Sequence, residues 1–196
     1  MHIEYLTSNA NKFAEAKQIL SSWALTQINI DLPEIQGDAQ AVIRAKAKSA
    51  FELLKRPLIV EDVSLSCPAI GGLPGPYIKD FLLKIGSQGL FELIDKYADH
   101  SVQVSCLVAY IAEEGQPIIF EGTQKGKIVA PRFSPGFKDT PPYHQGWDPI
   151  VQPAGMSKTY GEFTMDERSK LSMRFLALKQ LDRFLKEIHY PEDGKN

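Results

Sequence analysis

Long apolar runs are missing from this 196-residue chain: nothing approaches the roughly 18–20 consecutive apolar residues that span a bilayer, and Met1-His-Ile-Glu-Tyr-Leu-Thr7 has no basic stretch leading into an apolar one. The chain therefore reads as cytosolic, with no membrane partner. Cysteine is scarce. Cys67 and Cys106 stand far apart without a partner motif, which suits a reducing compartment where a free cysteine packs as a small hydrophobe. His2, His100, His144 and His189 fall singly, at no spacing that a zinc site uses. An excess of one charge is also absent. The 22 Lys+Arg stand against 24 Asp+Glu for a net −2, so no overall field exists to hold a nucleic acid polymer or an anionic membrane. Any polyanion must be caught locally. No repeat, low-complexity tract or linker divides the chain. Its 43% hydrophobic and 23% charged residues are those of a globular protein with a sizeable core.

What is present is an α/β order. Ile3-Glu-Tyr-Leu-Thr7 alternates as a short strand does, and Asn9 or Asn11 can cap a helix with Phe13, Ala16, Ile19, Leu20 and Trp23 on one stripe. Residues 25–32 alternate again, and Val42, Ile43, Ala47, Ala50, Phe51 and Leu54 recur at helical spacing over 39–54. Pro57-Leu-Ile-Val60 reads as a central strand buried on both faces. It is expected to stop at Glu61-Asp62, leaving two acids at a strand's carboxyl end. The Pro- and Gly-rich segment 67–77 predicts a shaped loop, and helical patterns resume over 78–85 and 89–97. Residues 101–112 and 118–129 read as long strands joined by a turn, a β-rich middle suited to a second lobe. Residues 131–155 predict a long surface loop. Thr164-Met-Asp-Glu167 matches a capping box and opens a last helix running to about His189, with Leu171, Phe175, Leu178, Leu181, Leu185 and Ile188 on one face.

Four constellations bear on chemistry. Asn9-Ala-Asn-Lys12 occupies a strand-to-helix turn, where unpaired N–H groups and a positive helix end face an anion and Lys12 adds a point charge. It is not a Walker A loop, and Gly122-Thr-Gln-Lys-Gly-Lys127 falls one residue short of one. Glu61 and Asp62, with Glu34 in the loop after the second strand, offer oxygen-only groups at the rim where open α/β sheets bind ligands, a set that suits Mg2+. Gly146-Trp-Asp-Pro149 pairs an aromatic face with a carboxylate, a combination able to stack on a base and accept its N–H groups. Arg168, Lys170 and Arg174 lie on the first turns of the last helix. Each has a plainer reading: a common cap, solvated loop acids, a Trp plugging a satellite core, a solvated basic face. Coincidence favours chemistry, because acids and Lys/Asn groups meet at one sheet edge as a Mg2+-phosphate substrate requires.

In this order, Thr7-Ser-Asn-Ala-Asn-Lys12, Asp31-Leu-Pro-Glu-Ile-Gln-Gly37, Val60-Glu-Asp-Val-Ser-Leu65 leading into Gly71-Gly-Leu-Pro-Gly-Pro-Tyr-Ile-Lys79, Gly146-Trp-Asp-Pro149 and Ser172-Met-Arg174 resemble the inosine triphosphate pyrophosphatase family across nearly the whole chain. The resemblance implies one domain over residues 1–196. Its fold is elongated, two-lobed α/β, with a central mixed sheet flanked by helices and the active-site cleft between the lobes, and the chain is a homodimer. The implied reaction is hydrolysis, with Mg2+ or Mn2+ as cofactor, of non-standard purine nucleoside triphosphates such as ITP, dITP and XTP to the monophosphate and pyrophosphate, which cleanses the nucleotide pool.

By the same resemblance, Thr7, Ser8, Asn9 and Lys12 cradle the triphosphate, Lys46 adds charge to it, Glu34 and Asp62 hold the metal, and Asp62 is the general base. Val63, Lys79, Gly146, Trp147, Asp148, Arg168, Met173 and Arg174 fall among the substrate contacts, with Gly146 to Asp148 sandwiching and reading the purine. Three residues depart from the family pattern: Met173 replaces a His, Arg168 a Lys and Gln145 an aromatic. All three lie on the nucleoside side, while the metal and phosphate residues are intact. The expectation is pyrophosphohydrolase chemistry, with altered base specificity as one alternative and a nucleotide-binding protein without turnover as another.

Overall fold

The computed structural model, which describes residues 2–30, 32–113, 115–133, 146–164, 167 and 171–190, opens with the expected strand, turn and helix: β1 (His2–Leu6) and α1 (Ala10–Ile19). The helix stops at Ile19, so Leu20 and Trp23 of the predicted stripe lie beyond it, buried nonetheless. β2 (Ala24–Ile28) is shorter than its alternation, and α2 (Ala39–Leu54) matches its predicted span. The Asp38 carboxylate begins α2 by accepting the Ala41 N–H at 2.7 Å.

β3 (Leu58–Ser66) does not stop at the two acids; it carries them in its middle. An apolar run followed by carboxylates looks like a strand end, because an isolated charge is costly to bury. Glu61 is not isolated here, so the strand continues. A 3-10 turn (Pro68–Ile70) and the short β4 (Pro74–Gly75) shape the predicted loop. α3 (Ile78–Ile94) joins the two expected helical runs across Gly86, whose φ of +68° and ψ of −179° are open essentially to glycine alone. β5 (Ser101–Ile111) and β6 (Ile118–Ile128) are the two long strands. The segment expected to be all loop contains β7 (Val151–Pro153), and its residues 134–145 lie outside the described residues.

The last helix is α4 (Met173–His189). The Thr164–Glu167 box upstream is formed, with the Thr164 N–H donating to the Glu167 carboxylate at 2.8 Å and the Glu167 N–H to Thr164 Oγ1 at 3.3 Å. Residues 165–166 and 168–170 lie outside the described residues. α4 buries Arg174, Ala177, Leu178, Leu181, Asp182 and Leu185. Ile188, expected on that face, is exposed.

Among the described residues seven strands form one mixed sheet, ordered β2-β1-β3-β5-β6-β7 with β4 on β3. β1 runs parallel to β2 and β3, whereas β4 and β7 run antiparallel to β3 and β6. The chain divides into two compact units, one of Met1–Asp62, Cys106–Gly122 and Met173–Asn196, the other of Val63–Ser105 and Thr123–Ser172.

In the first unit the parity of the strands sorts the helices. Leu6, Leu58 and Val60 pack with Ile43, Ala47, Ala50 and Phe51 of α2 and with Leu107, Ala109 and Ile111 of β5. Each large side chain buried there contributes roughly 1.5–3 kcal/mol. Tyr5, of opposite parity to Leu6, meets Phe13 of α1 with ring centroids 6.2 Å apart. α4 shares this second face. Its backbone comes so close to β6 that a Cβ at Gly122 would overlap the Met173 carbonyl oxygen and crowd the Ala177 nitrogen at 2.8 Å. At its far end the Trp23 indole N–H donates to Asp182 Oδ1 at 3.0 Å, and Lys186 holds the other oxygen at 2.7 Å.

The second unit has its own ties. The Ile128 N–H donates to the His100 carbonyl at 2.8 Å, Arg132 donates to the Ser157 carbonyl at 3.0 Å, and Thr159 forms a capping box with Glu162.

Candidate active site

The turn after β1 is built as the sequence implies. The Asn9 side chain accepts from the N–H groups of Asn11 at 3.0 Å and Lys12 at 3.1 Å, and Thr7 Oγ1 accepts the Asn9 N–H at 3.1 Å. Thr7 is itself anchored, its N–H on the Ile28 carbonyl at 3.0 Å and its carbonyl under Gln27 Nε2 at 2.9 Å. Because Leu6 pairs with Val60 in parallel register, Thr7 and Ser8 follow β1 at the level where Glu61 and Asp62 follow Val60. The capped start of α1 and the two acids therefore lie at one level of the sheet, just past the carboxyl end of β1.

Glu61 is enclosed. Tyr5 Oη donates to Oε2 at 2.6 Å, Lys12 Nζ lies 2.9 Å from Oε1, and Arg174 donates from Nε at 2.9 Å to Oε2 and from Nη2 at 2.8 Å to Oε1. The other arm of the guanidinium donates from Nη1 to Glu15 at 2.6 Å. Burial by itself would raise the Glu61 pKa, but the charges of Arg174 and Lys12 and the hydrogen bonds from Arg174 and Tyr5 outweigh it and hold the carboxyl far below its ordinary value. The effect on the partners is reciprocal. Arg174, which burial would discharge, is kept charged by Glu61. The Tyr5 phenol is pushed up by burial and then by Glu61, so it stays a donor.

Arg174 is thus a buried clamp on β3 and α1, not part of a solvated basic face. Tyr5 and Glu15 are members that sequence reasoning missed. Two signals point to the cluster: Glu15 follows Lys12 by three residues on one helix face, and Arg174, Leu178, Leu181 and Leu185 make as good a stripe as the one through Phe175.

Asp62 points the other way. Alternation puts its side chain on the face of Leu58 and Val60, the α2 face, where it is buried. On α2, Lys46 Nζ contacts Glu34 Oε1 at 2.8 Å. Among the described residues no group of three or more His, Cys, Asp or Glu is gathered to hold a metal by protein ligands alone. Asp62 and Glu34 supply carboxylate oxygen only. That donor set fits Mg2+, which keeps several waters and takes one or two carboxylates plus substrate phosphates.

In the second unit, Trp147 is buried and its carbonyl accepts the N–H groups of Ile150 at 3.0 Å and Val151 at 3.2 Å, while the Asp148 carbonyl accepts the Gly161 N–H at 2.8 Å. Gly146 precedes them, half-buried. Lys79 lies exposed on the first turn of α3, and Val63 follows Asp62 on β3. Met173, the first residue of α4, is buried. Arg168 and Gln145 lie outside the described residues. Both cysteines are buried and their thiols are made less acidic by it, Cys67 to about 11, as packing residues are.

A protein-family model matches residues 3–184 of this chain, and its description is the Ham1 family. The chain belongs to the Ham1 family. Among relatives, the inosine triphosphate pyrophosphatase of Schizosaccharomyces pombe is 40% identical over 185 residues, covering 93% of this chain and 94% of that one. The protein of the same name from Batrachochytrium dendrobatidis is 41% identical, covering 93% of each. A HAM1 protein structure from Coxiella burnetii, 25% identical, superposes with a TM-score of 0.82 over 95% of this chain and 99% of that one. The Ham1 likeness therefore extends over the described elements from β1 to α4.

Proposed function

We propose that this Ham1-family chain is a nucleoside triphosphate pyrophosphohydrolase that converts non-standard purine nucleotides, ITP, dITP and XTP, to the monophosphate and pyrophosphate. The observation that carries this reading is that the capped α1 start, with Lys12, follows β1 at the level of β3 that bears Asp62. The relatives named inosine triphosphate pyrophosphatase support it.

In this mechanism Thr7, Ser8, Asn9 and Lys12 hold the triphosphate, and Lys46 adds charge. Glu34 and Asp62 would hold Mg2+, or Mn2+, which when bound supplies further neutralisation of phosphate charge. Asp62 orients a water and takes its proton as the oxygen attacks the α-phosphorus. The bond from that phosphorus to the bridging oxygen breaks, and pyrophosphate leaves with the electron pair. Trp147 and Asp148 read the purine, with Gly146, Val63, Lys79, Arg168, Met173 and Arg174 completing the substrate surroundings. A 6-oxo base is preferred because groups arranged for O6 are left unpaired by adenine. The same reading makes the enzyme a homodimer of the cytoplasm that cleanses the nucleotide pool. No helix among the described residues is long and apolar enough to cross a membrane.

Pyrophosphate release from ITP, dITP, XTP, ATP, GTP and dTTP, in wild type beside Asp62→Asn, tests the proposal. Selective hydrolysis of the 6-oxo purines, reduced about 10²–10⁴-fold by the substitution, is expected; no turnover of any triphosphate by folded, Mg2+-supplied protein overturns it. A second reading, altered base preference, is favoured by the buried Met173, which has no donor to offer a base edge. Met173→His is expected to raise the inosine-over-adenine ratio of kcat/KM, and an unchanged ratio removes Met173 from the explanation.

A further inference from the structure

We infer that Tyr5 is a positioning residue that sets, through Glu61, how much of its charge Lys12 can offer to an anionic substrate. The inference rests on the reading above that Lys12 contacts the triphosphate. A carboxylate has about four acceptor positions, and at Glu61 all are taken, by Lys12, by Tyr5 Oη and by Nε and Nη2 of Arg174. The cluster also runs from inside to outside. Tyr5 is fully buried, the Glu61 side chain is 1% exposed, Arg174 11% and Lys12 23%. What the phenol does at the buried end is therefore felt at the end that faces solvent.

The tie between Lys12 and Glu61 competes with any phosphate for the same ammonium. A hydroxyl that donates to Oε2 draws off part of the carboxylate's charge and loosens its hold on Lys12. Without that donor, an oxygen lone pair is left open in a dry site, and the adjacent cations close on it. Lys12 is then held more tightly by Glu61 and less available outside. Tyr5 belongs to β1, a core strand whose alternation requires only an apolar ring at this position, and Phe would satisfy the contact with Phe13. The hydroxyl is the part that packing does not explain.

Steady-state hydrolysis of ITP in the full chain with Mg2+ tests this in four proteins: wild type, Tyr5→Phe, Lys12→Ala and the double variant. Tyr5→Phe is expected to raise KM about three- to tenfold, the reach of one charge-assisted hydrogen bond partly transmitted, with kcat within about twofold. In the Lys12→Ala background the same change is expected to leave KM where it is. An equal rise in both backgrounds, or a loss confined to kcat, overturns the inference by showing a structural role. Should Lys12→Ala raise KM while Tyr5→Phe does not, the inference alone fails. If Lys12→Ala leaves KM unmoved in an active enzyme, the assignment of Lys12 falls and takes the inference with it. 3-Fluorotyrosine at position 5, a stronger donor of nearly the same shape, is expected to lower KM; an unchanged or raised KM there counts against the inference even if the Phe variant fails to fold.

Discussion

Glu61 and Asp62 are adjacent on β3, carry the same kind of charge and are both buried, yet the sheet separates their surroundings. On the side of α1 and α4, Glu61 is saturated by Tyr5, Lys12 and Arg174. On the side of α2, Asp62 shares a face with Leu58 and Val60, and α2 itself carries Lys46, paired with Glu34 at 2.8 Å. A carboxylate whose acceptor positions are filled by a phenol, a lysine and a buried guanidinium ties three elements of the fold together. Serving as a base or a metal ligand would require it to break those bonds. Strand parity, one residue's difference, is what gives the two acids different surroundings.

The comparison is broken hardest at Arg174. Arg174→Ala leaves Glu61 as a buried charge without its main counter-ion, and a loss of about 3–5 kcal/mol is expected from removing one partner of a buried pair. Urea denaturation measures it; a shift as small as that of a surface substitution would mean the clamp is ornamental. Acid sharpens the contrast next. The folded Glu61 pKa lies below its ordinary 4.5, so its contribution to stability is whole above that value and is lost progressively as the pH falls below it. Thermal melts in descending pH steps are expected to steepen there for wild type and to lose that part of the slope in Glu61→Gln. The smallest effect lies on the α2 side. Lys46→Ala breaks only the partly solvated pair with Glu34 and is expected to cost under about 1 kcal/mol in the same urea experiment.

Local order was legible because local rules made it. The alternation of β1, the Asn9 cap and the whole span of α2 depend on neighbours in sequence, and each is found as expected. The bonds that govern Glu61 and Trp23 join residues 113 and 159 positions apart, and no periodicity announces them. For that reason β3 was expected to end where it continues, and the buried bond of Arg174 to Glu61 was not foreseen. The motif at Thr7 to Lys12 was visible as a strand, a turn and a helix end, and the resemblance supplied its chemical meaning. Lost regularity in residues 131–155 hid β7, three residues long, whose pairing with Gly126, Lys127 and Ile128 is decided by a distant strand.

The distance from Glu61 to Arg174 also bears on the order in which the protein can be made. During synthesis β1, α1 and β3 emerge early with Lys12, but the main counter-ion of Glu61 is added 113 positions later, with α4. Until then the nascent first unit has two of its three segments and a carboxylate that it cannot bury cheaply, while the segments of the second unit have already left the ribosome. The half of the molecule that begins the chain is therefore the half that closes last, and a chain interrupted before Arg174 would expose that carboxylate to water and the sheet face beneath it to chaperones.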